Sequence, residues 1–288
     1  MKEFLVLCIN GALTAILGLI DTSFGNNLSV DAIVVISAWG TIQYVFHQIA
    51  LLGRCCYQCN TDRFSEGVVI SLASSFVSGA IMVSTAKITS QLFSLTEYQH
   101  EMLYLCTVIY GLSMPISKLE VMFNDYLALN SKGKQLIGSS VVFYTMMIGC
   151  DAVVLVMKAE SYWLIIGTVF SDIVTVAYYL LACNMYKCIH RPDFNVIKEM
   201  IKTGVYVWIE KITSAIAYMG CSMFASRLGT FDYAIHGVAS AIAEATEEVT
   251  NCWYTNQVIK LKRCTAKNRK RTFGLKPEEQ FYQLSELV

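Results

Sequence analysis

Four carboxylates lie inside or at the edge of long apolar stretches of this sequence: Asp21, Asp151, Asp172 and Glu210. A charge near the middle of a bilayer costs at least about 2.5–3.5 kcal/mol, so such groups face the protein interior or a water-filled cavity. Burial also favours the protonated form of an acid. The chemistry available to these side chains is therefore reversible binding of H⁺ or Na⁺ in competition with a cationic ligand. Asp21 ends its apolar stretch, so contact with the lipid headgroups is an equally good interpretation for that residue.

Polar side chains recur at helical spacing within the apolar stretches. Residues four and three apart share one face of a helix, and three polar stripes follow this rule: Gly40, Gln43 and His47; Thr168, Asp172, Thr175 and Tyr179; and Tyr206, Glu210 and Ser214. We predict that these stripes, including Gln43, line a polar cavity within a helical bundle.

Composition indicates a membrane protein. Of the 288 residues, 55% are hydrophobic and 15% are charged, whereas a soluble domain usually carries about 25% charge. A helix needs about 20 apolar residues to cross the bilayer. Eight segments meet this requirement, which predicts an all-α, polytopic protein with spans at 4–23, 32–52, 68–93, 102–127, 136–157, 162–186, 205–223 and 234–258.

Lysine and arginine predict the orientation, because cytoplasmic loops carry the excess of both. With the N-terminus inside, only Lys158 and Arg227 lie in outer loops, and most other cations lie in inner loops or in the tail after residue 259. We expect a plasma-membrane protein with both termini in the cytoplasm. The basic tail is expected to contact anionic lipids, and a nucleic-acid partner is not expected.

Other residue types give weaker indications. Tyr144 and several other aromatic residues are suited to stacking on an organic cation, but packing and interfacial roles are more common for such residues. The cysteines of CCYQC (55–59) and the four separated histidines do not form a metal-ligand pattern. We expect no metal, no cofactor besides a coupling ion, and no enzymatic activity.

Two segments about two hundred residues apart are similar, SFGNNLSVDAIVVISAWGTI (23–42) and MFASRLGTFDYAIHGVASAI (223–242). Leu28 aligns with Leu228, and a one-residue offset aligns Asp31 with Asp232. Such self-similarity is typical of transporters built from two structurally equivalent halves.

Five stretches in their order along the chain resemble the multidrug and toxic compound extrusion (MATE) transporters: LIDTSFGNNLSVDAIVVIS (19–37), ALNSKGKQ (128–135), CDAVVLV (150–156), IKTGVYVWIEKI (201–212) and SRLGTFDYAIHGVASAI (226–242). The resemblance covers residues 1 to about 258. It implies a two-lobed fold of twelve helices, of which the last four are absent here.

The resemblance also implies a division of the chain and a function. Residues 1–190 would form the first lobe, 191–259 part of the second, and 260–288 a cytoplasmic tail. The implied function is export of organic cations or amphiphiles in exchange for Na⁺ or H⁺, with Asp21 and Asp151 as coupling acids and Glu210 at a further acidic position. A cation inside a span, Lys87, is placed to neutralise an acid or to reach the headgroups.

Two alternatives remain open. One is a lipid-linked saccharide flippase of the same superfamily, whose central cavity would be cationic. The other is a truncated membrane protein without transport activity, which would need a partner chain or a second copy of itself.

Overall fold

The computed structural model describes residues 27–240 without a gap, together with residues 5, 7–12, 16, 23, 242, 243, 246 and 259. The described part is helical and contains no strand. Its seven long or medium helices are α1 (Val30–Ala50), α2 (Leu52–Cys59), α3 (Phe64–Ser90), α4 (Glu97–Leu129), α5 (Gly133–Met157), α6 (Tyr162–Leu181) and α7 (Phe194–Ser226). Residues 7–12 and 230–240 are also helical.

Local sequence explains where several helices begin. The hydroxyl of Ser29 accepts a hydrogen bond from the Ala32 N–H at the start of α1. Thr96 and Gln99 form a reciprocal capping box at the start of α4, which satisfies two backbone donors that a helix leaves unpaired. Asp193 caps α7 in the same way as Ser29 caps α1.

Five of these helices, α1 and α3–α6, are long and apolar enough to cross a membrane. This confirms an all-α, multi-pass membrane protein. The predicted boundaries need two corrections: the span at 32–52 is interrupted at Leu51, and the span at 162–186 ends as a helix at Leu181, before a 3₁₀ turn at Met185–Cys188. The predicted spans at 4–23 and 234–258 lie largely outside the described residues. The span at 205–223 lies within α7, a longer helix that also carries Lys198, Lys202 and Lys211.

The helices of the bundle approach one another closely at small residues. A Cβ atom added to Gly79 of α3 would clash with the Gly111 carbonyl oxygen of α4. Similarly, a Cβ on Gly53 of α2 would lie 2.5 Å from Cα of Ser71. Close backbone approach through glycine is a common way of packing helices in membranes. These contacts fix α2, α3 and α4 against one another.

Two apolar cores lie at different levels of α4. One surrounds Cys106, Tyr110 and Met114 and includes residues of α1 and α6. The other surrounds Met122 and Phe123 and includes residues of α2, α3, α5 and α6. The segment of α4 between the cores carries Ser117, Lys118 and Glu120, so a polar layer separates them.

The predicted internal repeat has a structural counterpart. Each segment contains a break in the helix followed by a new helical stretch, which begins at Val30 in one and at position 230 in the other. The two equivalent helices also meet, since a Cβ on Gly237 would clash with the Ser37 side chain. Thr41 on α1 hydrogen-bonds Ser222 (2.8 Å), which also bonds Tyr233 (3.0 Å). Contact between equivalent positions is expected for two halves related by an approximate two-fold axis. The domain boundaries given above stay a prediction.

Candidate functional site

The polar face predicted for α6 is turned into the bundle. Asp172, Thr175 and Tyr179 are buried, and Thr168 is half-buried. Asp172 lies ten residues after the first residue of α6, which places it about 15 Å along a helix that rises 1.5 Å per residue. The carboxyl group of Asp172 is therefore near the middle of its span, where water is scarce.

A chain of hydrogen bonds leads from α1 to Asp172. The Gln43 amide donates to the Tyr110 hydroxyl (3.1 Å), and that hydroxyl bonds the Ser117 hydroxyl (3.3 Å). Ser117 in turn bonds the Asp172 side chain. The other carboxyl oxygen, Oδ2, is buried and has no hydrogen-bond partner among the described residues. The structure thus links two residues of different predicted stripes, Gln43 and Asp172.

Lys118 lies in the centre of this polar layer. Its side chain is fully buried, and its ammonium group contacts Nδ1 of His47 on α1. Lys118 also interacts electrostatically with the carboxylates of Asp172 and Glu120. Glu120 accepts a hydrogen bond from the Tyr179 hydroxyl (3.1 Å) and is half-buried. Helices α1, α4 and α6 therefore bring one cation and two acids to one level of the bundle.

An ion pair between α2 and α4 belongs to the same layer, because both of its charges act on Glu120. Nε of Arg54 is 2.8 Å from Oδ2 of Asp125, and Nη2 is 3.1 Å from Oδ1 of the same carboxylate. Gln58 donates a third hydrogen bond to Asp125 at 3.3 Å. This two-point contact is the strong form of an arginine–carboxylate pair, and it joins α2 to α4.

The remaining predicted site residues are not part of this layer. Asp151 is fully buried between α5 and α6, where a Cβ on Gly167 would lie 3.6 Å from its Oδ1. Tyr144 is half-buried on α5 and packs edge-on against Phe143, with ring centroids 5.0 Å apart. Glu210 is exposed on α7, as are the other members of its stripe. Asp21 lies outside the described residues.

Among the described residues, no ion pair joins Lys87 to an acid. Lys87 is exposed in the last turn of α3, where its long side chain can reach the headgroup level. This exposure fits the interpretation that Lys87 contacts the headgroups, and neutralisation of Asp21, which lies outside the described residues, stays a prediction.

A polar cavity of about 420 Å³ opens at the end of the bundle where α1, α4 and α6 begin. Its lining includes Asp31, Tyr98, Lys158 and Glu160. The carboxylate of Asp31 accepts a hydrogen bond from Gln99 (2.7 Å), and Tyr98 donates one to Glu160. Both acids thus already accept a hydrogen bond within the protein. No group of His, Cys, Asp and Glu side chains suited to a metal ion occurs among the described residues.

Lys118 and Glu120 were not among the predicted site residues. Both lie within the apolar segment 102–127, and the cost of charge in a membrane was the signal that could have identified them. Their partners lie on other helices. His47 is 71 residues from Lys118 along the sequence, and Tyr179 is 59 residues from Glu120. No spacing rule on α4 alone reveals those contacts.

Comparison with known proteins supports one architecture. No family model matches the chain, and no curated protein matches it. Among solved structures, the MATE multidrug transporter DinF-BH superposes with a TM-score of 0.72 at 16% identity, over 86% of this chain and 60% of that one.

This chain has the fold of the MATE transporters. An inward-facing MATE family transporter of the MOP superfamily gives a TM-score of 0.57 at 15% identity, over 87% of this chain and 64% of that one. A MOP superfamily transporter from Pyrococcus furiosus, described as having a binding pocket of reverse polarity, gives 0.53 at 14% identity, over 90% and 68%. The chain thus spans about 60–68% of the length of these structures, and the MATE-like fold implied by the sequence is confirmed.

Proposed function

We propose that this protein is a secondary active transporter that exports organic cations or amphiphilic compounds in exchange for H⁺ or Na⁺. The observation that carries the proposal is the burial of Asp151 and Asp172 on neighbouring helices of a MATE-like bundle. Acids buried within a membrane bundle characteristically mark ion or proton pathways. The location proposed with this function is the plasma membrane, with both termini in the cytoplasm.

In this proposal Asp21 and Asp151 bind the coupling ion, and the cavity that holds the transported compound also includes Asp172, Glu210, Gln43 and Tyr144. A ligand shifts a conformational equilibrium only by its different affinity for the two states. Neutralisation of an acid by H⁺ or Na⁺ supplies that difference, because it removes the attraction for a cationic substrate. Release of the ion on the other side then resets the transporter.

The test uses the purified chain in proteoliposomes loaded with a fluorescent organic cation such as ethidium. Ethidium flux is expected only when a proton or sodium gradient is imposed, and Asp21→Asn is expected to abolish the response to the gradient. The control is Glu101→Gln, which removes an exposed acid at the start of α4. The proposal would be contradicted if the flux did not depend on either gradient, or if Asp21→Asn left the flux unchanged.

A second candidate, movement of lipid-linked saccharides, is favoured by the cations of the polar layer, Lys118 and Arg54. An anionic diphosphate would bind such groups through charge-assisted hydrogen bonds. The two functions predict ligands of opposite charge in the same binding assay. The first predicts binding of ethidium, a cation, and the second predicts binding of a polyprenyl diphosphate, an anion.

The polar stripe of α7 is exposed, which indicates that other helices pack against it. Tyr206, Glu210 and Ser214 are all exposed, although polar groups rarely face lipid. We propose that additional helices, from a partner chain or from a second copy of this chain, cover this stripe. Crosslinking of the purified protein in lipid through a cysteine substituted for Ser214 would detect a second copy.

A further inference from the structure

The polar layer between the two apolar cores contains more acidic side chains than basic ones. The ionisable groups that face it are His47 from α1, Arg54 from α2, Tyr110, Lys118, Glu120 and Asp125 from α4, Asp172 and Tyr179 from α6, and Lys211 from α7. Lys211 acts on His47 but is not among the charges that act on Glu120 or Asp172, so it is left out of the count. Of the described residues, two cations and three carboxylates remain inside.

The observed contacts pair most of these groups. Arg54 and Asp125 neutralise each other through two short hydrogen bonds. An ammonium group has only donors, so Nδ1 of His47 accepts from Lys118 and the imidazole is neutral. Within the described part of the layer, Lys118 is then the one internal cation available to two acids, Glu120 and Asp172. A net charge in such a setting is costly, and two carboxylates that share a site do not both ionise readily.

We propose that Glu120 and Asp172 hold one exchangeable proton between them, with Lys118 as the fixed counter-charge. This proton-binding site is formed by α4 and α6 and does not include Asp21 or Asp151. Its use in coupling rests on the transport function proposed above, whereas the binding of the proton does not.

The hydrogen bonds around Asp172 indicate where the proton resides. Gln43, Tyr110 and Ser117 can each donate to the next group, and the last donor of this chain points to one carboxyl oxygen of Asp172. The buried Oδ2 has no acceptor or donor partner among the described residues. An ionised oxygen left in that state is far more costly than a protonated one. Asp172 is therefore the resting position of the proton.

The site also has a route for exchange. Glu120 and His47 are half-buried, whereas Asp172 and Lys118 are buried. Water that reaches Glu120 can deliver or remove a proton there, and the charge then redistributes between the two acids around Lys118. Tyr179 keeps Glu120 oriented through its 3.1 Å hydrogen bond, so it acts as a positioning residue.

Infrared difference spectroscopy of the purified protein in lipid tests the proposal without any transport step. A protonated carboxyl group gives a carbonyl stretching band that shifts in deuterium oxide. The wild type is expected to show this band near neutral pH. Both isosteric variants, Asp172→Asn and Glu120→Gln, are expected to lower the band by the signal of one carboxyl group, because the acid that remains is balanced by Lys118. Lys118→Met is expected to raise the band by the signal of one carboxyl group, since both acids then bind a proton. Any signal from the buried Asp151 is common to all variants.

The outcomes separate this inference from the proposed function. Glu101→Gln, at an exposed position, serves as the control and should leave the band unchanged. A band of unchanged intensity in both Asp172→Asn and Glu120→Gln overturns the proposal, even if Lys118→Met fails to fold. If the band behaves as expected but no ethidium flux is found, the transport function fails and the proton site stands. If gradient-driven flux is found and the band does not respond to the substitutions, the proton site fails and the transport function stands.

Discussion

The Arg54–Asp125 pair permits a quantitative test of how the polar layer stabilises the bundle. At 2.8 Å and an effective dielectric constant of about 20, the attraction between the two charges is about 6 kcal/mol before desolvation is subtracted. Arg54→Met leaves the Asp125 carboxylate, whose side chain is 11% exposed, with Gln58 as its remaining donor among the described residues. Breaking a buried pair by removing one partner costs about 3–5 kcal/mol. Because Arg54 is itself 28% exposed, we expect Arg54→Met to lower the free energy of unfolding by an amount at the low end of this range, about 3 kcal/mol.

A matched control exists on α7. Lys202 lies 2.7 Å from Glu199, a distance close to that of the Arg54–Asp125 pair, but these side chains are 60% and 69% exposed. Exposed pairs contribute about 0.2–1 kcal/mol. Lys202→Met is therefore expected to change the stability by less than a third of the Arg54→Met effect.

The assay is reversible unfolding in mixed micelles with increasing dodecyl sulfate, followed by tryptophan fluorescence. A loss of about 3 kcal/mol lowers the folding equilibrium constant roughly a hundredfold. The double variant Arg54→Met/Asp125→Leu should recover most of the lost stability, because it also removes the Asp125 carboxylate that has lost its arginine partner. If Arg54→Met is no more destabilising than Lys202→Met, or if the double variant is worse than the single one, the pair does not act as a buried pair.

Two further predictions concern packing and thiol reactivity. Gly79→Val should prevent recovery of monodisperse folded protein on size-exclusion chromatography, because its Cβ would clash with the Gly111 oxygen; Gly40→Ala, with no neighbour within 4 Å, should behave like the wild type. On α2, burial raises the pKa of Cys56 to about 12, so little thiolate forms at neutral pH, whereas Cys59 is exposed. Mass-spectrometric mapping after maleimide treatment at about pH 7.5 should find Cys59 modified and Cys56 unmodified, and equal modification of both would contradict the described packing of α2.

Much of the architecture was predictable from the sequence because membrane burial imposes a strong pattern. Length and apolarity identified the spans that became α1 and α3–α6, with shifts of a few residues at their ends. The burial of the α6 stripe is expected, because a helix with one polar face has a single way to keep that face out of lipid. Its members Asp172, Thr175 and Tyr179 are buried as expected. That the stripe lines a transport cavity stays a prediction.

The organisation of the polar layer was not predictable in the same way. Lys118 and Glu120 are two residues apart, and residues at that spacing do not face each other on a regular helix. They act together because α6 supplies Asp172 and Tyr179 at the same level. Which helices are neighbours is decided by contacts such as that between Gly79 and Gly111, and a single sequence does not report such contacts. The prediction that Glu210 and Asp21 belong to a cavity stays a prediction.

The polar layer also lies close to α7. On α7, Trp208 donates a hydrogen bond to the Ile49 carbonyl (2.9 Å), two residues beyond His47. Further along α7, Lys211 lies within electrostatic range of His47. His47 thus lies near both Lys118 and α7. A proton gained or lost by Glu120 and Asp172 changes the field at Lys118 and hence at the surface where α7 packs on α1. If the two halves move relative to each other during transport, this is the contact at which the charge state of the buried acids would bias that motion.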